Sequence, residues 1–396
     1  MARVKTLLTF NAGSSTVKIG LFALRAGGPD RIARGVIDFR HDPLTLRVSE
    51  GERRIETALE ARPDEDLSGI LSETLAVLGR HFDLGDVAAA GHRVVHGGDR
   101  FDGPVPLDAD TIAAVDALTA LAPLHQPQSL RLIRAIAGLL PDLPQTASFD
   151  TAFHRTNDAL VRRFAIPRAL HDRGIKRYGF HGLSYRFIAS ELARVAPEAA
   201  SGRVVVAHLG SGASLCGMLG GISRDTSMGF STLDGIPMAT RCGALDPGVL
   251  LHLLRREGRM PTEVEDLLYH ESGLLGVSGI SADSRDLLAS DAPEAREAID
   301  LFTFRIAGEI ARLAATLGGL DAVVFTAGVG ENQPAVRAAV CKRLGWLGLD
   351  LDPAANAANT TRIGTPASRI AAFVIATDEE QVIAEETISI LGDTAG

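Results

Sequence analysis

The sequence predicts an α/β protein of two duplicated domains, and three observations support this fold class. The chain has 396 residues, which is too long for one ordinary hydrophobic core and favours two domains of similar size. A strand–turn–strand block near the N-terminus reappears, weakly, from residue 203 onward. A further strand, glycine-rich turn and helix follow near the C-terminus, between residues 322 and 344.

The composition is that of a globular protein and excludes several classes. Hydrophobic residues make up 46% of the chain and charged residues 22%. No apolar run reaches the ~20 residues of a bilayer span, and the N-terminus lacks a small-residue cleavage site, so we expect a cytoplasmic chain without a membrane partner. Three cysteines without CxxC spacing argue against a disulfide framework or a zinc site. A net charge of −9 without long basic stretches argues against nucleic acid as a partner.

The first predicted elements are strands. Residues 6–10 are apolar and β-prone, residues 11–15 have turn chemistry, and residues 17–24 resume a strand. A third strand is predicted at residues 31–39. Helical periodicity then predicts three helices, around residues 66–80, 110–121 and 129–140.

A second β-rich block begins at residue 203. A strand at 203–208, a turn at 210–212 and a strand at 213–219 resemble the N-terminal block over about 20 residues. Three pairs of positions coincide when the blocks are superposed: Gly13 with Gly210, Ser14 with Ser211, and Gly20 with Gly217. Two unrelated β-hairpins can look this similar, so duplication and chance resemblance both stay open at this point.

The C-terminal quarter adds another strand–turn–helix unit. Residues 322–326 are apolar, residues 327–332 form a glycine-rich turn, and residues 333–344 can form a helix with a proline in its first turn. A strand at 370–376 then leads through residues 377–380 into a last helix.

Three glycine-rich turns that each follow a strand suggest phosphate binding. Glycine lets backbone N–H groups approach anionic oxygens closely, and a concave array of such donors binds anions. Each turn alone is weak support, because glycine-rich turns join strands in all kinds of proteins. The P-loop, the complete dinucleotide fingerprint, GxSxG, HExxH and an EF-hand loop are all absent from the sequence.

Two arginines lie in glycine-containing segments. Arg93 is flanked by glycines in residues 91–98, and Arg241 precedes a cysteine and a glycine. A guanidinium group matches carboxylate or phosphate with two parallel donors, so either arginine could bind an anion. A structural salt bridge is the alternative for each. Two arginines on one anion would suit phosphoryl transfer, in which charge spreads over the equatorial oxygens.

Three further polar residues have both a structural and a functional reading. Asp150 follows Ala147-Ser148-Phe149, and His181 lies between Phe180 and Gly182. Each could be a satisfied structural group or part of a site. Glu379 comes directly after a strand, where a carboxylate can hold a metal or cap a helix.

Ten motifs, in order along the chain, resemble those of acetate kinases. They are FNAGSSTVK at residues 10–18, GHRVVHGG at 91–98, SFDTAFH at 148–154, YGFHGLSY at 178–185, HLGSGASL at 208–215, DTSMGF at 225–230, TRCGALDPG at 240–248, SADSRD at 281–286, TAGVGEN at 326–332 and TDEE at 377–380. The matches extend over nearly the whole chain.

The resemblance implies a fold, an assembly and a reaction. The fold is that of sugar kinases, actin and heat-shock chaperone ATPases, with two duplicated ribonuclease H-like domains flanking a nucleotide cleft. Residues 1–152 with 382–396 would form the acid-binding domain, and residues 153–381 the nucleotide-binding domain. Members of the family form homodimers. The reaction is reversible phosphoryl transfer from MgATP to acetate, which gives acetyl phosphate and ADP.

Transferred residue by residue, the resemblance implies four catalytic groups. Arg93 and Arg241 would grip the carboxylate of the acid and the transferred phosphoryl group. His181 would donate a hydrogen bond to that group in the transition state, and Asp150 would orient the acid and its arginine. A carboxylate nucleophile carries no proton, so no general base is needed in this direction.

The resemblance also implies metal, nucleotide and acid ligands. Asn11 and Glu379 would hold Mg²⁺, for which Mn²⁺ can substitute, directly or through water. The binding site of the co-substrate ATP would be lined by Lys18, His208-Leu209-Gly210-Ser211-Gly212, Asp283-Ser284-Arg285 and Gly328-Val329-Gly330-Glu331-Asn332. The acyl tail would occupy a small apolar pocket of Val95, Leu124, Phe180 and Thr232, with His125 nearby.

The chain departs from the family pattern at three positions. Ser211 replaces an asparagine and shortens one phosphate contact, Thr232 replaces a proline of the acyl pocket, and Asp378 replaces an asparagine beside Glu379. A propionate or butyrate kinase, with the same catalytic groups, is the nearest alternative function. A non-catalytic ATP-binding module of the actin type is the alternative from another class, but it has no use for the arginines, Asp150 and His181 together.

Overall fold

The computed structural model describes residues 5–13, 16–39, 42–62 and 67–392. Its strands are β1 Thr6–Ala12, β2 Thr16–Arg25, β3 Gly28–Asp38, β4 Thr45–Glu50, β5 Arg53–Ala58, β6 Val87–Val94, β7 Val105–Pro106, β8 Gln145–Phe149, β9 Arg203–Leu209, β10 Ala213–Leu219, β11 Ile222–Thr226, β12 Ala322–Thr326 and β13 Ala371–Val374.

The α-helices follow the same chain order. They are α1 Leu67–Gly79, α2 Ala109–Asp116, α3 Gln126–Leu139, α4 Arg168–Asp172, α5 Gly182–Val195, α6 Pro197–Ala200, α7 Pro247–Arg255, α8 Pro261–His270, α9 Gly273–Ser278, α10 Ser284–Ala289, α11 Pro293–Leu317, α12 Ala327–Asn332, α13 Pro334–Arg343, α14 Pro353–Ala357 and α15 Glu379–Leu391. Four predicted features lie wholly or partly outside the described residues: the N-terminus at 1–4, Ser14 and Ser15 of the first turn, Asp66 of a predicted helix, and residues 393–396.

The chain forms two compact units. The first comprises residues 1–153 and 378–396, and the second comprises residues 154–377. The predicted division was at residues 381 and 382, whereas residues 378–381 group with the first unit because they begin α15, which packs on its sheet. The assignment of acid binding to one unit and nucleotide binding to the other stays a prediction.

The first unit is built on an eight-stranded sheet with the order β5-β4-β3-β2-β1-β6-β8-β7. Strand β1 pairs antiparallel with β2 and parallel with β6, and β6 pairs parallel with β8. Alternate residues of β1 point to opposite faces. Leu8 and Phe10 pack in the same core as buried residues of α1 and α3, whereas Leu7 packs with Ala384 of α15. Helices therefore cover both faces of the sheet.

The second unit is built on a five-stranded sheet with the order β11-β10-β9-β12-β13. Strand β9 pairs antiparallel with β10 and parallel with β12, which pairs parallel with β13. The long helix α11 packs on this sheet through buried residues that include Ile306, Ile310 and Leu313. A side chain at Gly217 of β10 would reach Leu313 and Leu317 at 3.4–3.5 Å, so glycine permits the helix to approach closely.

The two sheets share one topology, which confirms the predicted duplication and the α/β fold class. Each has three antiparallel strands, β1–β3 or β9–β11, followed by two parallel strands on the other side of the first strand. One offset in residue number relates Thr6, where β1 begins, to Arg203, where β9 begins. The same offset superposes Gly13 on Gly210, so the internal repeat in the sequence reflects a real structural repeat.

The segment of residues 327–332 was predicted as a turn, and this was wrong. It forms the short helix α12, whose first residue, Ala327, has a φ of 64°. Two glycines in six residues lower helix propensity, which is why the sequence favoured a turn. In the described part of the chain, no helix is long and apolar enough to cross a membrane.

Candidate active site

In the first unit, the predicted polar residues lie where parallel strands end. Asn11 is the second-last residue of β1, Arg93 the second-last of β6, and Asp150 directly follows β8. The carboxyl ends of parallel strands meet at one edge of a sheet, where α/β proteins commonly bind ligands. Helix α15 begins at Glu379 and brings its first turn to the same residues.

Arg93 and Asp150 form a buried ion pair. The guanidinium Nη2 lies 2.6 Å from Asp150 Oδ2, and Nε donates to both carboxylate oxygens at 3.1 and 3.2 Å. The Asp150 side chain is fully buried, and the Arg93 side chain is 14% exposed. The remaining nitrogen, Nη1, donates to Asn11 Oδ1 at 3.1 Å, so Arg93 joins the ends of three strands.

Asn11 also contacts the first turn of α15. Its amide nitrogen donates to Glu379 Oε2 at 2.7 Å and to Glu380 Oε1 at 2.9 Å. Both glutamates are buried. Carboxylates in the first turn of a helix are stabilised by the helix dipole and by its free N–H groups. The two glutamates and the amide of Asn11 therefore form an anionic cluster beside Arg93.

Neighbouring carboxylates control the charge of Arg93. Burial acts to lower the pKa of its guanidinium, but the carboxylates of Asp150 and Glu379 more than offset this and raise the pKa above its ordinary value. Arg93 is therefore permanently charged. Its charge neutralises part of the negative charge that Asp150, Glu379 and Glu380 bring to this edge.

The donor set of the cluster fits Mg²⁺ in a site completed by other ligands. Among the described residues, no three His, Cys, Asp or Glu side chains are arranged to hold a metal ion by themselves. Magnesium, however, is commonly held by one or two carboxylates together with water and substrate phosphates. Glu379 and Glu380 each bring a carboxylate within hydrogen-bond distance of the side-chain amide of Asn11, which matches that preference.

In the second unit, His181 and His208 lie side by side. Their rings stack at 4.3 Å between centroids with an interplanar angle of 14°. His181 precedes α5 with a φ of 58°, and His208 is the second-last residue of β9. His181 Nδ1 lies 2.8 Å from Ser214 Oγ, and His208 Nδ1 lies 2.8 Å from Ser184 Oγ. Each imidazole is thus anchored through Nδ1 to a buried hydroxyl.

The turn at residues 210–212 borders both imidazoles and Arg241. A side chain placed on Gly212 would lie 3.6 Å from both His181 Nε2 and Arg241 Nη1, and one on Gly210 would lie 3.6 Å from His208 Nε2. Glycine therefore leaves space beside three nitrogen atoms. The structure brings together the predicted residues His181, His208 and Arg241 around this turn.

Arg241 has neighbours of a different kind from those of Arg93. Its guanidinium group contacts the carbonyl oxygen of Thr232 at 3.3 Å, the sulfur of Met238 at 4.0 Å, and the ring of Tyr269, whose centroid lies 5.8 Å from the guanidinium carbon. None of these groups carries a negative charge.

Helix α12 is held by a residue whose role the sequence did not reveal. Arg337 of α13 is fully buried and donates to the carbonyl oxygens of Gly330 and Glu331, both at 2.9 Å. Its other nitrogens donate to Asn356 and Asn359. In the sequence, Arg337 is one polar residue of an ordinary helix, so only its burial in the fold identifies it as a support of the glycine-rich segment.

The carboxylate of Glu331 has partners within the protein. Its Oε1 accepts hydrogen bonds from the backbone N–H of Ala327 at 2.8 Å and of Thr377 at 3.1 Å. Ala327 has a left-handed backbone conformation, which residues other than glycine rarely adopt. The Glu331 carboxylate therefore stabilises the strained start of α12.

The two other predicted ATP segments are linked to each other. Ser284, the first residue of α10, accepts a hydrogen bond at 2.7 Å from Gln333 Nε2, which directly follows α12. Asp283, which is partly exposed, caps α10 and pairs with Arg285, which is exposed. The structure thus places residues 283–285 beside the end of residues 328–332. Lys18 belongs instead to the first unit, on β2 opposite Asn11 and exposed to solvent.

The predicted acyl pocket is divided between the two units. Val95 is buried in the first unit, where Leu124 is exposed and His125 precedes α3. Phe180 and Thr232 are buried in the second unit. The grouping of these five residues into one pocket stays a prediction.

The three departures from the family pattern occupy different environments. Ser211 is exposed at the tip of its turn. Thr232 is buried, and it contacts Arg241 through its backbone oxygen rather than its side chain. Asp378 caps α15 and forms ion pairs with Arg31 and, at 2.7 Å, with Arg34. An aspartate here therefore adds a charge that two arginines of β3 neutralise.

Comparisons with known proteins match nearly the whole chain. Residues 6–385 match the model of the Acetokinase family. An acetate kinase of Rhodopseudomonas palustris is 50% identical over 96% of both chains, and one of Rhizobium meliloti is 45% identical over 97% of this chain and 98% of the relative.

Solved structures agree in fold. A propionate kinase from Francisella tularensis superposes with a TM-score of 0.90 at 34% identity, and an acetate kinase from Porphyromonas gingivalis with 0.86 at 33%; each match covers 98% of this chain and 100% of the other. The resemblance that the ten motifs indicated is thereby confirmed. The chain belongs to the acetokinase family.

Proposed function

We propose that the protein catalyses reversible transfer of the γ-phosphoryl group of ATP to acetate, giving acetyl phosphate and ADP. The observation that carries this proposal is the full-length relationship, at up to 50% identity, to proteins named acetate kinase. The chemistry of the two sheet edges is consistent with it. The edge in the first unit holds Arg93 together with carboxylates. The edge in the second unit holds Arg241 together with two imidazoles and a glycine turn.

In the proposed reaction, an oxygen of the acetate carboxylate attacks the γ-phosphorus while the bond to the β–γ bridging oxygen breaks. The bond electrons leave with ADP, and no proton is transferred. Arg93 binds the carboxylate of the acid. Asp150 holds Arg93 in place through three short contacts, so its role is orientation. Bound Mg²⁺, held through Glu379 and Asn11, would neutralise charge on the phosphate oxygens.

Residues of the second unit are assigned to ATP and to the charge that develops in the transition state. The turn at 210–212 and the segments at 283–285 and 328–332 bind the nucleotide. Arg241 Nη1 and His181 Nε2 donate to the transferred phosphoryl group. Arg241 suits this role because its Nη1 and His181 Nε2 both border the space beside Gly212. Donors fixed before the reaction stabilise developing charge without reorganisation.

Propionate is the second candidate for the acid substrate. The solved structure with a TM-score of 0.90 is titled a propionate kinase, although it is less identical to this chain than the acetate kinases above. Both acids need the same arginines. Only the apolar pocket distinguishes them, and one additional methylene is worth about 1–3 kcal/mol in such a pocket.

One assay tests the reaction and its metal dependence. The protein is incubated with MgATP and formate, acetate, propionate or butyrate, and acyl phosphate is trapped with hydroxylamine. We expect the acetate reaction to have the highest kcat/KM and to stop when magnesium is chelated. Failure to form acyl phosphate from any acid of two to four carbons would disprove the function. Full activity in excess chelator would disprove the requirement for magnesium.

A cytoplasmic homodimer is proposed as well, from family membership. Helix α7 and the residues that precede α7 and α8 expose several large apolar side chains, which a partner could cover: Leu245, Val249, Leu251, Leu254 and Met260. Light scattering should give twice the 41.7 kDa of one chain. A monomeric mass at micromolar concentration would contradict the dimer.

A further inference from the structure

We propose that Tyr185 and Ser214 position His181 by fixing which of its ring nitrogens carries the proton. This inference rests on the proposed function and deepens it. In the described structure, Ser214 Oγ lies 2.5 Å from Tyr185 Oη and 2.8 Å from His181 Nδ1. Three side chains therefore form a continuous hydrogen-bonded chain, called here the hydroxyl relay, which ends on the imidazole.

The fold holds the hydroxyl relay rigidly. Tyr185 is in the first turn of α5, and its backbone N–H donates to the carbonyl oxygen of His181 at 3.1 Å, which holds the two residues close together. Ser214 is the second residue of β10, which has a neighbouring strand on each side. Tyr185 and Ser214 are both fully buried, and the ring of Tyr185 packs edge-on against His154 and His208. Water cannot easily replace either hydroxyl.

Relative acidity sets the direction of the two hydrogen bonds. A phenol, with a pKa near 10 in water, is a stronger acid and a better donor than an aliphatic alcohol. Tyr185 therefore donates to Ser214 Oγ, which is consistent with their short 2.5 Å separation. Ser214 has one proton, and it then donates that proton to His181 Nδ1. A neutral imidazole that accepts at Nδ1 carries its own proton at Nε2.

The Nε2 atom is the one that borders the glycine turn. A Cβ on Gly212 would lie 3.6 Å from His181 Nε2 and equally far from Arg241 Nη1, so both nitrogens face the space that glycine leaves free. With the relay intact, Nε2 is a donor toward an anion at that position. With the opposite tautomer, Nε2 would present a lone pair to the phosphoryl oxygens and repel them. Tyr185 and Ser214 are thus positioning residues, which act through His181.

The tautomer can be measured directly. ¹⁵N-histidine labelling of the full chain gives ring-nitrogen shifts that separate a protonated nitrogen from an unprotonated one. The spectrum of His181→Gln identifies the His181 signals among the 11 histidines. At pH 8 we expect His181 to be protonated at Nε2 and unprotonated at Nδ1. Protonation at Nδ1, or at both nitrogens, would overturn the proposal.

Two variants test the relay, and a third is their matched control. Tyr185→Phe keeps the buried ring and removes only the terminal donor, and Ser214→Ala removes the link to His181. Tyr178→Phe removes a different buried phenol, which donates to the carbonyl oxygen of Gly174 at 2.8 Å, away from the relay. All three lose one buried hydroxyl, so a general loss of stability affects them alike.

We expect kcat to fall about 3–10-fold in Tyr185→Phe and about 10–100-fold in Ser214→Ala, with the KM values for ATP and acetate within about 2-fold. These losses are smaller than the 10²–10³-fold that removal of a donor itself causes. Tyr178→Phe should retain kcat. In both relay variants the ¹⁵N shifts of His181 should move toward a tautomer mixture. Unchanged shifts, or equal kcat losses in Tyr185→Phe and Tyr178→Phe, would contradict the relay.

Failure of the relay and failure of the function are distinguishable. If the unmodified protein forms no acyl phosphate, the proposed function is wrong, whatever the ring-nitrogen shifts show. If it forms acyl phosphate but His181 does not have the expected tautomer, only the relay is wrong. Ser214→Ala is read by NMR even if its turnover is too low to measure.

Discussion

The two units carry different chemistry on the same strand framework. One offset in the sequence relates Asn11, near the end of β1, to His208, near the end of β9. Asn11 binds Glu379 and Glu380 in the first turn of α15, and His208 binds Ser184 in the first turn of α5. The first turn of α15 is acidic, whereas that of α5 contains no acidic residue.

The comparison shows what strand order determines and what it does not. Topology places a polar side chain at the end of the first strand and a helix N-terminus beside it in both units. The residues of that helix turn then decide the chemistry. In the first unit, buried charged groups pair with one another. In the second, imidazole rings and hydroxyl groups lie beside the glycine turn that Arg241 borders. Charge removal should therefore affect stability in the first unit and rate in the second.

The largest expected effect is on the stability of the first unit. Asp150→Asn leaves Arg93 buried without its main carboxylate, and the loss of one partner of a buried ion pair costs about 3–5 kcal/mol. Asp116→Asn is the matched control, because Asp116 pairs with Arg134 at the same unit's surface and such pairs contribute about 0–1 kcal/mol. Urea denaturation measures both. Equal losses would show that the Arg93–Asp150 pair behaves as a surface pair.

The second prediction concerns rate in the second unit. Arg241→Ala and His181→Ala should each lower kcat about 10²–10³-fold, with little change in the KM for ATP or in stability. Arg93→Ala should in addition raise the KM for acetate. Arg259→Ala is the control, since Arg259 forms a solvent-exposed ion pair with Glu257. Near-native turnover in Arg241→Ala would show that this arginine is structural.

The third prediction uses pH to separate the units. Burial lowers the pKa of His92 and His96 in the first unit, and of His154 in the second, to about 4. An unfolded histidine has a pKa near 6.5. Between pH 6.5 and 4 the unfolded chain therefore binds protons that the folded chain does not, so stability falls as pH falls, by up to about 1.4 kcal/mol per pH unit for each histidine.

The contribution of these three histidines to the free energy of unfolding is complete above pH 6.5. Its loss at lower pH should be greater in the first unit, which holds two of the three. Hydrogen exchange at pH 7 and pH 5, corrected for the intrinsic rate, measures the protection of each sheet. His92→Asn should flatten the pH dependence, whereas His81→Asn, at an exposed position, should not. A greater loss of protection in the sheet of the second unit would contradict this assignment.

Much of this architecture was predictable because it rests on local patterns. A strand–turn–strand block has alternating apolar residues and glycines at fixed positions. This pattern revealed the repeat, in which Gly13 and Gly210 occupy equivalent positions. Helix α12 was not predictable, because its glycines lower helix propensity and its start depends on Glu331 binding the N–H of Ala327. That hydrogen bond exists only once the fold is formed.

The residues that support the site were harder to find than those proposed to act in it. Motifs identified His181 and Arg241, but not the partners that hold such side chains in place. Ser214 is 33 residues from His181 and 29 from Tyr185, and joins them only because β10 lies beside α5. Arg337 is similar, since its buried contacts link α12 to residues near α14. Positions that are polar and buried need a fold before they can be assigned.

The fourth prediction tests whether the anionic cluster holds the metal. Glu379→Gln should raise the Mg²⁺ concentration for half-maximal activity about 10–100-fold, as changes around metal ligands commonly do. Titration of Mn²⁺ by electron paramagnetic resonance, with ADP present, gives the same affinity without turnover. Glu380→Gln is the matched control, because Glu380 also accepts from Asn11 and lies in the same helical turn. A larger effect in Glu380→Gln would transfer the metal ligand to Glu380.

The smallest expected effect concerns the choice of acid. Val95 is buried directly after β6, and its assignment to the acyl pocket implies that its methyl groups limit the length of the acid. Val95→Ala should enlarge the space and narrow the preference for acetate over propionate several-fold, from a native preference of about 10–200-fold. The kcat/KM values of both acids measure this change in preference.

Val94→Ala is the control, since Val94 lies in the hydrophobic core of the unit and its side chain points to the other face. Both changes remove two methyl groups, so they should destabilise the protein alike, by about 1–2 kcal/mol. If the two variants change the acetate-to-propionate ratio equally, or if the native protein already prefers propionate, Val95 does not line the pocket and the propionate kinase reading replaces the proposed one.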